Sequence, residues 1–549
     1  MKRVLPLVAA AAGWLFLSAA QAAAPGITGG TGTPSFDLTA APAYITQPDG
    51  QAVYSWGYGC NTQPAGFVPA AIAPPPTGCP TMQIPGPTLV VTEGDTVTVT
   101  LHNNLPTPAG NTSILFPGFI LTSVCPAGQQ GLLACEAPPG GMVSYTFKAA
   151  SPGTRAYYSG TQGDLQVEMG LYGAIIVLPA SVPTVCGTIG SASDGLPASH
   201  PGNNKAARAA WGESDFRLAA SAFDHPDTCY DREYLFQFSA IDPNVHVQAL
   251  AQVTAAGNCT AGAAGCSLSV PTEPYHPTYF LINGRSMPDD MDPNYAAQYP
   301  HQPYNGNPHM HPGELVLVRV IGQDRWQHPF HEHGNHVRVL ARDGNLITAD
   351  PTVASNLITY SGAAAGAAAL AGPLLFTTTT TPGVAMDGIF YWTGKGLNWD
   401  AYGHNPASKD PLATLTCTPD ANGYNTSAPA AVNYYEWCQD HDKPLQVHPF
   451  GDVAGGGPAT LPDPNLFTNG AWYGGSPYLG PNATTRATGP TGTTPPSGTI
   501  ANPPTSEAGF AFMWHSHDER EITTNNIFPG GMLMMMLVDS REFVIDESN

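Results

Sequence analysis

Charged side chains are scarce in this chain, and basic ones are the scarcest. Only 11% of its 549 residues are charged, and 19 Lys and Arg stand against 41 Asp and Glu, so the formal net charge is −22. Nucleic acid and anionic membrane surfaces repel so acidic a protein, and this argues against both as partners. None of the ten cysteines lies in a Cys-x-x-Cys pair, and the chain has no nucleophile motif that would favour a hydrolase.

Long apolar runs are also missing, except at the start of the chain. Residues 1–22 combine a basic start, a short apolar stretch and the small-x-small sequence Ala20-Gln21-Ala22. This pattern predicts a signal peptide and an exported protein, either periplasmic or secreted. A membrane anchor is the alternative, but the run is short for a spanning helix and contains Pro6. We expect no transmembrane segment in the mature chain.

Glycine and proline are abundant, with 60 and 56 copies, and they favour turns between short strands over helices. The turn Glu93-Gly94-Asp95 separates two alternating β-branched runs, and Pro312-Gly313-Glu314 followed by residues 315–320 repeats the pattern. The sequence therefore predicts an all-β protein with two β-sandwiches of one type.

The domain organisation follows from shifts in composition. We expect a flexible arm over residues 23–50, a first sandwich over 51–180, a linker over 181–230 and a second sandwich over 231–549. Residues 400–508 are rich in Pro, Gly, Asn and Thr, and we interpret them as a long insertion with local structure of its own.

An even number of cysteines in an exported chain favours disulfides. Connectivity does not follow from sequence, but the close spacing suggests sequential pairs: Cys60/Cys79, Cys125/Cys135, Cys186/Cys229, Cys259/Cys266 and Cys417/Cys438.

Two histidine-rich segments are the strongest candidates for chemistry. The first is His328-Pro329-Phe330-His331-Glu332-His333-Gly334-Asn335-His336, and the second is Trp514-His515-Ser516-His517. Side chains at i and i+2 of a strand share one face, so each His-x-His pair presents two imidazoles to the same side. Two such strands can surround one metal with four imidazoles, and imidazole suits copper, zinc and iron. A histidine-rich loop without metal is the alternative.

At these residues the chain resembles the multicopper oxidase family, which carries His-Pro-x-His-Leu-His-Gly and a later His-Cys-His. The likeness extends to the segment from Gly86 to Asp95, to Asn103-Asn104-Leu105-Pro106, and to Gln166 with Gly170-Leu171-Tyr172-Gly173. The resemblance implies tandem cupredoxin-like Greek-key β-sandwiches and copper-dependent oxidation of a small-molecule or metal-ion reductant by dioxygen. It implies metal ligation by His328, His331, His333, His515 and His517, with His328 on the far side from the other four.

The departures from the family pattern are large. Neither first-domain His-x-His is present, and the corresponding segments are Thr112-Ser113-Ile114-Leu115-Phe116-Pro117-Gly118 and Tyr157-Tyr158-Ser159-Gly160. We expect Leu115, Phe116, Tyr158 and Gly160 to face the four-histidine site in place of the missing ligands. Ser516 stands at the position of the copper-binding cysteine and Glu521 at that of the next histidine. A serine hydroxyl does not replace the thiolate of a blue copper site, so none is expected.

Weaker candidates stand beside these. His309-Met310-His311 could add ligands, although an exposed loop is the favoured interpretation. The carboxylates of Asp518, Glu519 and Glu521 could do so too, with a solvated acidic turn containing Arg520 as the alternative. The methionines at 532, 534, 535 and 536 are interpreted as core.

Two functions remain open. One is an exported oxidoreductase with an incomplete copper centre, and the other is a non-catalytic periplasmic metal-binding or structural cupredoxin protein. Zinc is an alternative metal. The protein is expected to be a monomer or, as in two-domain members of the family, a homotrimer.

Overall fold

The computed structural model describes residues 23–184, 186, 214–311, 313–358, 367–392, 416–421, 423, 425–427, 446–449, 459–460, 510–538 and 545–546. Within these residues almost all regular structure is β-strand, which confirms the all-β prediction, and two sandwiches are formed. Most of the predicted insertion at 400–508 and much of the predicted linker lie outside this description.

Two sheets form the first sandwich. One has the order β3-β2-β6-β7, built from Ala52–Cys60 (β3), Ser35–Thr46 (β2), Thr96–Asn103 (β6) and Met142–Lys148 (β7). The other has the order β4-β1-β5-β9-β8, built from Gly66–Val68 (β4), Gly26–Thr28 (β1), Leu89–Thr92 (β5), Tyr172–Leu178 (β9) and Gly153–Tyr158 (β8). The core between them contains Trp56, Leu101 and Phe147, all fully buried.

Two larger sheets form the second sandwich. One has the order β11-β10-β13-β19-β15-β16 with β17 beside β15, built from Tyr279–Ile282 (β11), Arg232–Ile241 (β10), Leu315–Gly322 (β13), Ala385–Tyr391 (β19), Val337–Arg342 (β15), Asn345–Leu346 (β16) and Leu374–Leu375 (β17). The other has the order β12-β23-β22-β14-β18, built from His309–Met310 (β12), Leu533–Val538 (β23), Phe510–Ser516 (β22), His328–Glu332 (β14) and Thr377–Thr380 (β18). Gln446–Pro449 (β20) pairs separately with Ala459–Thr460 (β21).

The expected flexible arm over 23–50 is wrong for most of its length. Strand β2 pairs with both β3 and β6 and places Phe36, Leu38 and Ala40 in the core. The composition of this segment is typical of loops, but every second residue is apolar, and that period of two decides its structure.

Two α-helices occur among the described residues, Gly163–Gln166 (α1) and Pro243–Ala256 (α2). Asp242 caps α2, since its side chain accepts a hydrogen bond from the backbone N–H of Asn244 at 2.9 Å. The helix covers one end of the first core with Val245 and Ala249. Neither helix is long and apolar enough to cross a bilayer.

Disulfides are present, as predicted, and four of the sequential pairs are formed: Cys60–Cys79, Cys125–Cys135, Cys186–Cys229 and Cys259–Cys266. Cys417 is also disulfide-bonded. Its expected partner Cys438 lies outside the described residues, so that pairing stays a prediction.

Candidate metal centre

Strand β14 separates the histidines of the first motif onto opposite faces. His328, Phe330 and Glu332 are buried, whereas Pro329 and His331 are partly exposed on the other face. His333 follows directly and shares the side of His331. The alternation of a strand therefore divides the motif into a core-facing His328 and an outward-facing pair.

Strand β22 brings the second motif against the first. Its register with β14 places His331 directly opposite His515 and Glu332 opposite Trp514. The indole Nε1 of Trp514 donates to the carbonyl of His333 at 3.0 Å, which holds the end of β14 in place. Two adjacent strands thus present two His-x-His pairs on one face.

The four imidazoles lie close together. Ring centroids are 4.7 Å apart for His331 and His333, 4.9 Å for His331 and His517, and 5.2 Å for His333 and His515. His515 lies 5.6 Å from both His331 and His517. The convergence expected from the i, i+2 spacing is therefore present in the fold.

One pair of ring nitrogens already has the spacing of two ligands on one metal. His333 Nε2 lies 3.1 Å from His515 Nε2. Two imidazoles at tetrahedral positions on a zinc or copper ion would have nitrogens about 3.3 Å apart, given metal–nitrogen bonds of about 2.0 Å. Because His515 Nδ1 lies 2.7 Å from the carbonyl of Ser516, which only accepts, Nδ1 carries the proton and Nε2 keeps its lone pair.

The electrostatics of the cluster favour neutral imidazoles, the form that binds metals. Burial lowers the pKa of His333 to about 4, and the neighbouring His515, His331 and His517 lower it further in the same direction. Burial also lowers the pKa of His331 and of His515. His517 is the most open of the four, with 54% of its side chain exposed.

The side chains as they stand do not form a finished metal site. No three His, Cys, Asp or Glu side chains in the described part of the chain are arranged to hold a metal ion together. His331 Nδ1 lies 2.8 Å from the Thr377 hydroxyl, and only the His333–His515 pair has ligand spacing. Rotation of His331 and His517 about their side-chain bonds is needed for all four to reach one ion.

His328 lies on the opposite, core side and has different partners. Its Nε2 is 3.0 Å from Asp324 Oδ1, and its Nδ1 is 2.9 Å from Glu521 Oε2. Burial works against charge on this imidazole, but Asp324 first and Glu521 second outweigh burial and raise its pKa to about 10. Both ring nitrogens are bound to carboxylates, so this geometry gives no support to His328 as a metal ligand.

An ion network occupies the position where the family pattern places a thiolate and a second imidazole. The Ser516 hydroxyl donates to Glu521 Oε2 at 2.5 Å, and that same oxygen accepts from His328. The backbone N–H of Met532 donates to the carbonyl of Glu521 at 2.7 Å. Ser516, Glu521 and His328 are all buried, and together they replace soft metal ligands by an imidazolium held between two carboxylates.

The first-domain residues expected to face the four histidines lie elsewhere. Leu115, Tyr158 and Gly160 line a cavity between the two sandwiches, and none of the four histidines is among its described lining. Phe116 packs in the first core, 4.8 Å from Phe147 between ring centroids. The lining of this cavity therefore gives no support to the expectation that these residues close the histidine site within one chain.

The weaker ligand candidates of the sequence differ in burial. His309 and His311 are buried, so the interpretation of this segment as an exposed loop is wrong, since β12 pairs with β23. Met532, Met534 and Met536 belong to the second core, as predicted. Asp518 and Glu519 lie in an exposed turn.

A segment of the first sandwich is similar to known multicopper oxidases. Residues 81–181 match the family model "Multicopper oxidase". Dihydrogeodin oxidase of Aspergillus terreus is 36% identical over 96 residues, which is 17% of this chain and 15% of that protein. This part of the chain is therefore similar to a segment of the multicopper oxidases. Copper resistance protein A of Escherichia coli is 39% identical over 94 residues, or 17% of this chain and 14% of that protein.

The extent of these multicopper oxidase matches is limited. They cover 14% to 20% of the length of the curated relatives, so the chain matches only a minor part of each. Among solved structures, blue copper oxidase from Nitrosomonas europaea is 14% identical with a TM-score of 0.43, and the match covers 92% of this chain and 85% of that chain. The family-model match, 81–181, lies in the first sandwich and contains none of the four clustered histidines.

Asp324 is the residue of this region that the motifs do not reveal. It lies four residues before His328 and outside any recognisable pattern, yet it holds the imidazolium from the side opposite Glu521. A buried imidazolium needs a counterion. An acidic residue close to a histidine motif that lacks its cysteine is therefore the one signal that could have indicated Asp324.

Proposed function

We propose that this protein is an exported, multicopper-oxidase-like copper-binding protein whose metal site is formed by His331, His333, His515 and His517. The observation that carries the proposal is the grouping of four imidazoles on adjacent strands, with one Nε2–Nε2 distance of 3.1 Å. Neutral imidazoles suit copper and zinc alike, and copper is preferred because it ranks higher in the affinity order and because copper is implied by the family.

The chemistry available to this site is narrower than in the family pattern. A bound copper would supply one-electron redox chemistry, while the four imidazoles would hold it and keep its coordination open on the exposed side of His517. The chain offers no thiolate for a blue copper site, since Ser516 donates to Glu521 instead. We therefore propose an oxidoreductase with an incomplete copper centre, acting on a small-molecule or metal-ion reductant.

A non-catalytic metal-binding protein of the periplasm is the second candidate. The ion network at His328 favours it, because a buried imidazolium fixed by Asp324 and Glu521 offers no route for electrons from a reductant to the four-histidine site. The disulfides support an oxidising compartment for either candidate.

The histidine face also bears on the oligomeric state. His517 is 54% exposed, and the exposed side chain of Phe376 packs 5.7 Å from His331 between ring centroids. This arrangement supports an oligomer, such as the homotrimer, over the monomer, because a second chain could cover the face and complete the ligand set.

Metal analysis of variants tests the proposal. The full-length mature protein, loaded with copper and desalted, should retain copper, and His331→Ala and His517→Ala should each lose most of it. His336→Ala is the matched control, since His336 is an exposed histidine of the same motif that packs on Phe376 and not on the cluster. Retention of copper by both cluster variants would refute the site. Dioxygen consumption with phenolic and Cu(I) reductants then separates the two candidate functions.

A further inference from the structure

A cavity of about 390 Å³ lies between the two sandwiches, apart from the histidine cluster. Leu115, Tyr158 and Gly160 contribute its first-sandwich wall, and Gln323 and Asp324 contribute its second-sandwich wall. Small-molecule sites usually measure about 300–1,000 Å³. The cavity is therefore large enough for a small organic molecule, at a position where the family pattern would place first-domain copper ligands.

Two buried oxygen acceptors of this cavity have no hydrogen-bond donor within normal distance among the described residues. They are Glu168 Oε2 and Gln323 Oε1, and the hydroxyl of Tyr275 interacts with the Glu168 carboxylate only at longer range. The Glu168 side chain is completely buried, and Gln323 is 2% exposed. Both residues line the cavity. Because an unsatisfied buried acceptor is costly, these two oxygens indicate a ligand that donates hydrogen bonds.

The orientation of both acceptors is fixed by their remaining contacts. Glu168 Oε1 accepts from the backbone N–H of Asp242 at 2.7 Å. The amide Nε2 of Gln323 donates to the carbonyl of Gly173 at 2.9 Å and to Gln237 Oε1 at 2.7 Å. Since both of these partners are acceptors, the nitrogen of Gln323 is assigned to this position and its oxygen is left for the cavity.

Carboxylates dominate the charged lining. Asp324 lines the cavity next to Glu168, and Asp164 lies at the exposed mouth. His328 partly neutralises Asp324 from behind, and His246 Nε2 lies 3.7 Å from Glu168 Oε1. The single arginine of the lining, Arg325, donates to Glu273 at 3.0 Å at the rim. Carboxylates therefore outnumber basic side chains in the lining, which suits a cationic ligand better than an anionic one.

We propose that this cavity binds a small organic amine as its ammonium ion. The ammonium group donates to Glu168 Oε2 and Gln323 Oε1, and the apolar body of the ligand packs along Leu115, Val167 and the ring of Tyr158. The site does not depend on the four histidines or on copper, so it stands or falls separately from the proposed function.

Three probes of nearly equal shape test the charge requirement: 2-phenylethylamine, 2-phenylethanol and phenylacetate. Isothermal titration calorimetry on the full mature chain at neutral pH should show one site for the amine. The alcohol and the acid should bind at least about tenfold more weakly, because only ammonium pairs its positive charge with the carboxylate, the alcohol is uncharged, and phenylacetate is repelled. Equal binding of the three probes, or no binding of the amine at millimolar concentration, would show that the cavity holds water only.

Variants locate the site. Glu168→Gln keeps the size of the side chain and removes its charge, so it should weaken the amine by about tenfold or more and weaken the alcohol much less. Asp350→Asn is the matched control, because Asp350 is an exposed carboxylate outside the cavity. Unchanged amine binding by Glu168→Gln would overturn the proposal.

A second variant decides the matter if Glu168→Gln fails to fold. Gly163 lines the mouth, and a Cβ added there meets no atom within 4 Å. Gly163→Phe should therefore fold normally, as judged by circular dichroism, and narrow the cavity so that amine binding drops at least about tenfold, since the buried apolar body loses its space. Full binding by this variant would place the amine elsewhere and refute the site.

Discussion

The buried imidazolium of His328 should make a large and pH-dependent contribution to stability. His328→Gln removes the positive charge and leaves Asp324 and Glu521 buried without it. Breaking a buried ion pair by removing one partner costs about 3–5 kcal/mol. A pKa of about 10 in place of the ordinary value near 6.5 gives a similar figure, about 5 kcal/mol in the free energy of unfolding.

The sign of the pH effect follows from the raised pKa. Below about pH 6.5 the imidazole is protonated in both folded and unfolded chains, so its contribution is fully present. Between that pH and about 10 only the folded chain keeps the proton, and the contribution falls steadily. The wild-type protein should therefore lose stability over this range, and His328→Gln should lose much less.

Urea unfolding at several pH values, followed by tryptophan fluorescence, to which the buried Trp56 and Trp514 contribute, measures both effects. His336→Gln is the control, since it removes an exposed histidine nearby and should change the free energy of unfolding little. A loss below about 1 kcal/mol for His328→Gln, or equal pH dependence in the two proteins, would refute the account of a buried, charged imidazole.

Three further predictions concern the metal and the disulfides. His331→Ala and His517→Ala should each abolish most copper binding measured by mass spectrometry, while Ser516→Ala should leave it intact, because the Ser516 hydroxyl contacts Glu521 and not the cluster. The copper-loaded protein should have no intense blue absorption band, and Ser516→Cys alone should not create one. The reason is that Glu521 and a charged His328 stand where two imidazole ligands are needed. A strong band in the spectrum of either protein would contradict this prediction. Peptide mapping without reduction should join Cys417 to Cys438, and a peptide joining Cys417 to any other residue would show the sequential rule to be wrong there.

Periodicity made the fold and the histidine cluster predictable. Strand alternation alone places His331 and His333 on one face and His328 on the other, and the structure has this division. Strand β2 was hidden because its apolar positions are separated by Thr, Ala and Pro in a segment that looks like a loop. Helix α2 was missed although Asp242-Pro243 is a usual helix start, because 14 helical residues stand alone in a strand-rich chain.

The network around His328 was not predictable, because its parts are distant in sequence. Asp324 and Glu521 are 197 positions apart by their residue numbers, and only the pairing of β14 with β22 brings them to the same ring. The cavity was missed for a related reason. The direction in which the histidine face points depends on how the sandwiches pack, and no local pattern contains that information.

Evolution back to a thiolate copper site would be difficult from this sequence. Glu521→His alone would take away one counterion of His328 and place a second imidazole beside a charged one. Ser516→Cys alone would place a thiol against a buried carboxylate, which disfavours the thiolate that copper needs. A change at either position alone therefore disturbs the buried network of His328, Asp324, Glu521 and Ser516, so a thiolate copper site here would require several of these residues to change together.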